Sequence, residues 1–188
     1  MLDAESAARE LLRCCGSQRW AQRMVAARPF ADADTMSDVA DDIWWSLDAA
    51  DWLGAFAAHP RIGDGGDAGA GEAGRAGAAG GAGGAERAGR AGTAGQGTAG
   101  WSGQEQARVA DAAATVRQRL DDLNREYEAR FGYIFIVSAT GRSAEEMLGI
   151  LERRLQNDPG EELQAAAEEQ RTITRLRLMK LLEQAQVP

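Results

Sequence analysis

Arg130-Phe131-Gly132-Tyr133-Ile134-Phe135-Ile136-Val137-Ser138-Ala139-Thr140-Gly141-Arg142-Ser143 is the stretch on which the fold turns. Within it, Tyr133 to Ala139 is short, apolar and β-branched, the composition of a buried extended segment. A strand needs a partner, and no second run of comparable strength stands in the chain to pair with it. The segment therefore reads as an isolated extended piece among helices, and the fold class as all-α. Helical signals flank it on both sides. Upstream, Val109, Ala113, Val116, Leu120, Leu123 and Tyr127 keep a 3.6-residue period almost to Phe131 and Gly132. Downstream, Ser143-x-x-Glu146 is a capping box that opens a helix through Met147, Leu148, Leu151 and Leu155. Asn157-Asp158-Pro159-Gly160 predicts a turn, and a final helix is expected from about Glu161 to Gln184.

Towards the N-terminus, up to about Ile62, the pattern is one of short helices. Trp20, Met24 and Val25 belong to one that Pro29 breaks. Met36, Val39, Ala40, Ile43, Trp44 and Leu47 recur at helical spacing behind Thr35, a residue type that caps helix starts. Asp48 is placed to cap the next helix, with Trp52, Leu53 and Phe56 as its buried stripe and Pro60 as its stop. The expectation is a single domain over 1–188 with about eight helices.

A spacer interrupts it. Of the 23 glycines, 16 fall between Gly63 and Gly100, among alanines with scattered Arg and Glu. Such a segment buries too little apolar surface to offset its ordering entropy, so residues 64–100 are expected to form a low-complexity, disordered insertion. Its glycines neither follow a strand nor open a helix with Gly-Lys-Ser, which argues against a phosphate cradle.

The formal net charge of −8 argues against non-specific nucleic-acid binding, which requires clustered cations. Cys14 and Cys15 are adjacent, and with one histidine they cannot complete a zinc site. Structural thiols in a reducing compartment are expected. No apolar run reaches transmembrane length, and Met1 to Gly16 carries acids among its apolar residues, unlike a signal peptide. The expected location is cytoplasmic.

Three residues stand out as carriers of chemistry. His59, the sole histidine, follows a helix end where the macrodipole favours imidazolium by about 0.3–1 kcal/mol. Pro60 fixes the backbone after it, which suits general acid/base work, although a lone histidine is also a common structural or solvated group. Glu105 completes a Ser102-x-x-Glu105 capping box. It serves either the helix start or a ligand held against the same N–H groups. Arg177 shares a helical face with Ile173 and Leu181 and therefore needs a partner, either an internal carboxylate or a bound carboxylate or planar amide. A nucleophile pairing of His59 with Cys14 or Cys15 lacks anything like a nucleophile elbow.

Taken in order, several segments resemble the 2-oxo-4-hydroxy-4-carboxy-5-ureidoimidazoline (OHCU) decarboxylase family. They are Cys14 to Trp20, Arg28-Pro29-Phe30, His59-Pro60-Arg61-Ile62-Gly63, Ser102-x-x-Glu105-Gln106 and Arg130 to Phe135. Thr140 to Ser143, Asn157-Asp158 and Ile173 to Leu178 continue the likeness. The resemblance implies an all-helical carboxy-lyase, usually a homodimer, that converts OHCU to (S)-allantoin at the end of the urate-to-allantoin sequence. It implies no metal or organic cofactor, and neither nucleic acid nor membrane as partner. It places catalysis on His59, Glu105 and Arg177. Substrate contacts fall on Pro60, on Ser102, Gly103, Gln104, Glu105 and Gln106, and on Phe135, Ile136, Val137, Ser138 and Ala139. In this reading the N–H groups near Ser102 and Ser138 help hold the substrate ring. The long spacer departs from the family's shorter loop. The rival reading is a non-catalytic helical partner of urate-pathway enzymes, for which intact His59, Glu105 and Arg177 have no purpose.

Overall fold

A computed structural model describes residues 3–62 and 96–186, with side chains over 3–62 and 113–184. Seven helices occupy these residues and no strand occurs among them. They are α1 (Ala4–Cys15), α2 (Gln18–Ala26), α3 (Ala33–Trp45), α4 (Ala49–Ala57), α5 (Gln96–Phe131), α6 (Ala144–Arg154) and α7 (Pro159–Gln186). The all-α expectation holds. Of the insertion expected at 64–100, residues 96–100 form the start of α5, and the remainder lies outside the described residues.

Side-chain caps set most helix starts. Asp3, Ser17, Asp32 and Asp48 each accept the N–H three residues ahead, that of Ser6, Trp20, Thr35 and Asp51. Asp48 caps α4 as the sequence suggests, but α3 is capped by Asp32 and not by Thr35. Both residue types cap well, and Asp32 wins because its backbone is the extended one entering the helix. The Ser143–Glu146 box is complete: Glu146 N–H donates to Ser143 Oγ at 3.2 Å and Ser143 N–H to Glu146 Oε2 at 2.7 Å. Helix α7 starts two residues earlier than expected, at Pro159, whose fixed φ and missing N–H suit a first helical position.

Two apolar clusters make the core. One joins α1 to α4 with α7 around Trp20, Trp44, Phe56 and Leu178. The other joins α5 and α6 around Leu120, Tyr127 and Leu151. Three buried indoles tie the first cluster together, each donating its N–H to a main-chain carbonyl. Trp20 reaches Ala40 at 2.9 Å, Trp44 reaches Ala167 at 3.0 Å and Trp52 reaches Trp44 at 3.1 Å. Leu53 departs from expectation: it is 39% exposed, and Ala55 takes its place beside Trp52 and Phe56 on the buried face of α4.

The unpaired extended segment runs between the clusters, with Ile136 facing the first and Phe135 and Val137 the second. That alternation is the period of extended backbone. Its polar groups are met by side chains instead of a neighbouring strand. Arg154 Nη1 donates to Ile136 O at 2.6 Å, and Ser138 N–H donates to Glu169 Oε2 at 2.8 Å. Arg154 in turn sits against fully buried Glu162, with Nε 2.7 Å from Oε1, and the Tyr127 hydroxyl donates to that same oxygen.

Candidate active site

The site begins where α4 stops. Ala58 closes the helix, and His59 N–H donates to Phe56 O at 3.1 Å before Pro60 turns the chain away. The stretch that follows is pinned to α5: Arg61 pairs with Glu128, and Asn124 Nδ2 donates to Ile62 O at 3.0 Å. Behind it lies Gly16, the left-handed cap of α1 at φ 86°. A methyl group there would lie 2.8 Å from Ala58 Cβ and 3.0 Å from Ala55 O. Glycine thus lets α1 approach the residue next to His59, and its backbone conformation suits no other residue as well.

His59 is partly buried, and its Nε2 is enclosed without a hydrogen bond. Burial, and then the positive charge of Arg177, hold its pKa below the ordinary 6.5, opposed by the Gln170 side chain acting as a hydrogen-bond acceptor. The helix end was expected to favour imidazolium; desolvation and Arg177 outweigh it. At neutral pH the ring is a neutral base.

Arg177 lies on α7, half-buried, and its Nη1 donates to Cys14 O at 3.2 Å. It makes no ion pair among the described residues, so the partner is a carbonyl of α1 and not the internal carboxylate. With Glu10, Arg13, Cys14 and Lys180 it lines a cleft between α1 and α7. The structure therefore brings His59 and Arg177, 118 positions apart in the sequence, into electrostatic contact.

The other expected residues fall as follows. Pro60 is exposed beside His59. Ser102, Gly103, Gln104, Glu105 and Gln106 are helical, and their side chains lie outside the described residues. Because α5 starts at Gln96, Ser102 is past the four N–H groups a helix start leaves free. It is not a cap, and its N–H is not available to a ligand. Once nucleated, a helix extends at little cost through Gln96 to Gly100, despite two glycines. Phe135, Ile136, Val137 and Ser138 are buried and Ala139 is exposed. The Ser138 N–H is taken by Glu169, which Arg142 also grips at 3.1 Å, so that donor too is unavailable.

Gln170 is the functional candidate that sequence reasoning missed. It is fully buried beside His59, and the spacing Gln170, Thr174, Arg177, Leu181 would have placed it on the face of Arg177.

A protein of Arabidopsis thaliana, the uric acid degradation bifunctional protein TTL, is 34% identical over 169 residues, 89% of this chain and 45% of its own length. An OHCU decarboxylase of Amia calva is 38% identical over 80 residues, 43% of this chain and 46% of its own length. The matches thus span about half the length of these relatives. The crystal structure of an OHCU decarboxylase in the presence of (S)-allantoin superposes with a TM-score of 0.65 at 33% identity, covering 93% of this chain and 97% of that one. The model of the OHCU decarboxylase family matches residues 1–179, and the chain belongs to that family.

Proposed function

We propose that this chain decarboxylates OHCU to (S)-allantoin without a cofactor, with His59 as the acid/base. The observation that carries the reading is the partly buried His59, its Nε2 enclosed, held at the end of α4 under the field of Arg177. The bond from the ring carbon to the carboxylate breaks, CO2 leaves, and the electron pair passes into the neighbouring imine, whose nitrogen takes a proton from water to give an enol. A neutral imidazole takes the hydroxyl proton as the carbonyl forms and returns a proton to the ureido-bearing carbon. One base fixed on one face of that carbon gives one enantiomer. The Arg177 donors other than the one on Cys14 O grip the carboxylate or the planar ureide, for which a guanidinium fork is well shaped. Glu105 accepts substrate N–H groups, and contacts from Pro60, from the Ser102 to Gln106 turns of α5 and from the Phe135 to Ala139 segment complete the pocket.

The protein is proposed to act as a cytoplasmic homodimer. Exposed Leu53, in a groove with Ala57, Tyr133 and Ile134, offers an apolar face that a second copy can cover. Among the described residues, no helix is long and apolar enough to cross a membrane.

The test generates OHCU in situ from urate and follows the circular dichroism of the allantoin formed. Rapid accumulation of the (S) form is expected. Racemic product appearing no faster than without protein refutes the reading. His59→Asn is expected to abolish turnover while leaving the thermal midpoint nearly unchanged.

A further inference from the structure

The two polar atoms enclosed without a partner at this site belong to residues that act on each other. His59 Nε2 is one and Gln170 Oε1 is the other. Buried polar atoms are almost always hydrogen-bonded, so two such orphans on residues that act on each other call for a common explanation. The Gln170 side chain is the hydrogen-bonding group that acts on the His59 ring.

The orientation of the amide is not free. Gln170 Nε2 donates to Cys15 O at 3.1 Å and to Thr174 Oγ1 at 3.2 Å, which uses both of its hydrogens. The Thr174 hydroxyl has its own proton committed to Gln170 O at 2.9 Å, so it can only accept from the amide. A flipped carboxamide would set its oxygen against the Cys15 carbonyl and strand both contacts. Oε1 is thereby held as an acceptor, and among the described residues nothing donates to it.

We propose that Gln170 is a positioning residue: its Oε1 accepts from His59 Nε2–H, fixes the ring as that tautomer, and leaves the Nδ1 lone pair facing the substrate. This rests on the reading of His59 as the acid/base. The choice of an amide over a carboxylate matters. A carboxylate at 170 would stabilise imidazolium, whereas an amide orients the ring and keeps it neutral, ready to take a proton before returning one. Among the described residues, the charged group that acts on the ring is Arg177 from α7, which also acts on the Cys14 and Cys15 thiols of α1.

The sole histidine makes the test clean. The full chain is labelled with 15N in the imidazole and read by long-range 1H–15N correlation, alongside Gln170→Glu and Gln170→Leu. The unaltered protein is expected to show one neutral tautomer, protonated at Nε2. Gln170→Leu should release it to a tautomer mixture and lower kcat at least about tenfold at nearly constant KM. Gln170→Glu should keep Nε2 protonated, raise the His59 pKa by more than one unit and move the acid limb of the rate profile with it. Should Gln170→Leu not fold, the unaltered protein and Gln170→Glu decide the matter by themselves. Protonation at Nδ1 in the unaltered protein, or a His59 pKa unmoved in Gln170→Glu, overturns the proposal. If the NMR results hold while His59→Asn still turns over, the Gln170 contact stands and the acid/base assignment falls.

Discussion

Replacing Arg154 by Met should be among the most damaging single changes in this protein, although it lies outside the site. The Arg154 side chain is 9% exposed and its partner Glu162 is wholly enclosed. The guanidinium also supplies the hydrogen bond to Ile136 O that the extended segment lacks from any neighbouring strand. Methionine fills comparable volume but strands a carboxylate and a carbonyl together. Breaking a buried pair from one side costs about 3–5 kcal/mol. Against a total stability of about 5–15 kcal/mol, that is a large share. With a urea slope of about 2 kcal/mol per molar, a loss of about 4 kcal/mol lowers the unfolding midpoint by about 2 M. Adding Glu162→Gln to Arg154→Met removes the stranded charge while keeping an acceptor for the Tyr127 hydroxyl, so at least half the loss should return. Urea unfolding followed by far-UV circular dichroism measures all three proteins. A single variant within about 1 kcal/mol of the parent, or a double variant no better than the single, refutes the reasoning.

Three further outcomes are expected. Gly16→Ala should cost about 1–2 kcal/mol for the left-handed backbone and about 1–3 kcal/mol for the forced contact with Ala58. It should also lower turnover well below its melting temperature, and a variant with unchanged activity and midpoint would contradict the close packing beside His59. Because the folded pKa of His59 is depressed, the folded state binds fewer protons than the unfolded chain at pH values just under 6.5. Stability from this group is complete above that pH and declines below it. The decline should vanish in His59→Gln, and thermal midpoints at stepped pH would expose the idea as wrong if both proteins fell alike. Burial pushes the Cys15 thiol up to about 11, so it should resist thiol reagents until the protein unfolds; labelling in buffer at the rate of a free thiol would count against that.

Local signals carried the sequence reading far. The Ser143 box, the Asp48 cap, the stop at Pro60 and the helix end at Gly132 all depend on residues within one turn of each other, and each holds in the structure. The absence of a partner for Tyr133 to Ala139 was legible as well, because it concerns composition. What failed depends on distant parts of the chain. The Ser138 N–H is taken by a carboxylate 31 positions away, and Leu53 yields its buried place to Ala55 where α1 comes close at Gly16. The true start of α5 was hidden because the Gly-rich composition before Ser102 argues against helix, while continuation of an established helix needs little propensity. At the site, His59 was conspicuous as a unique residue, whereas Gln170 is an ordinary amide in mid-helix. Only its neighbours, Cys15, Thr174 and the imidazole, make it matter.

The three enclosed indole donors also furnish the protein with its own spectroscopic gauge. Each N–H of Trp20, Trp44 and Trp52 reports a different junction, α2 with α3, α3 with α7 and α4 with α3. Their proton resonances should be dispersed and slow to exchange with deuterium, whereas Trp45, 37% exposed, offers an internal fast reference. A variant that silences turnover while these three signals stay put has lost chemistry. One that blurs the Trp52 signal first has loosened the helix that carries His59.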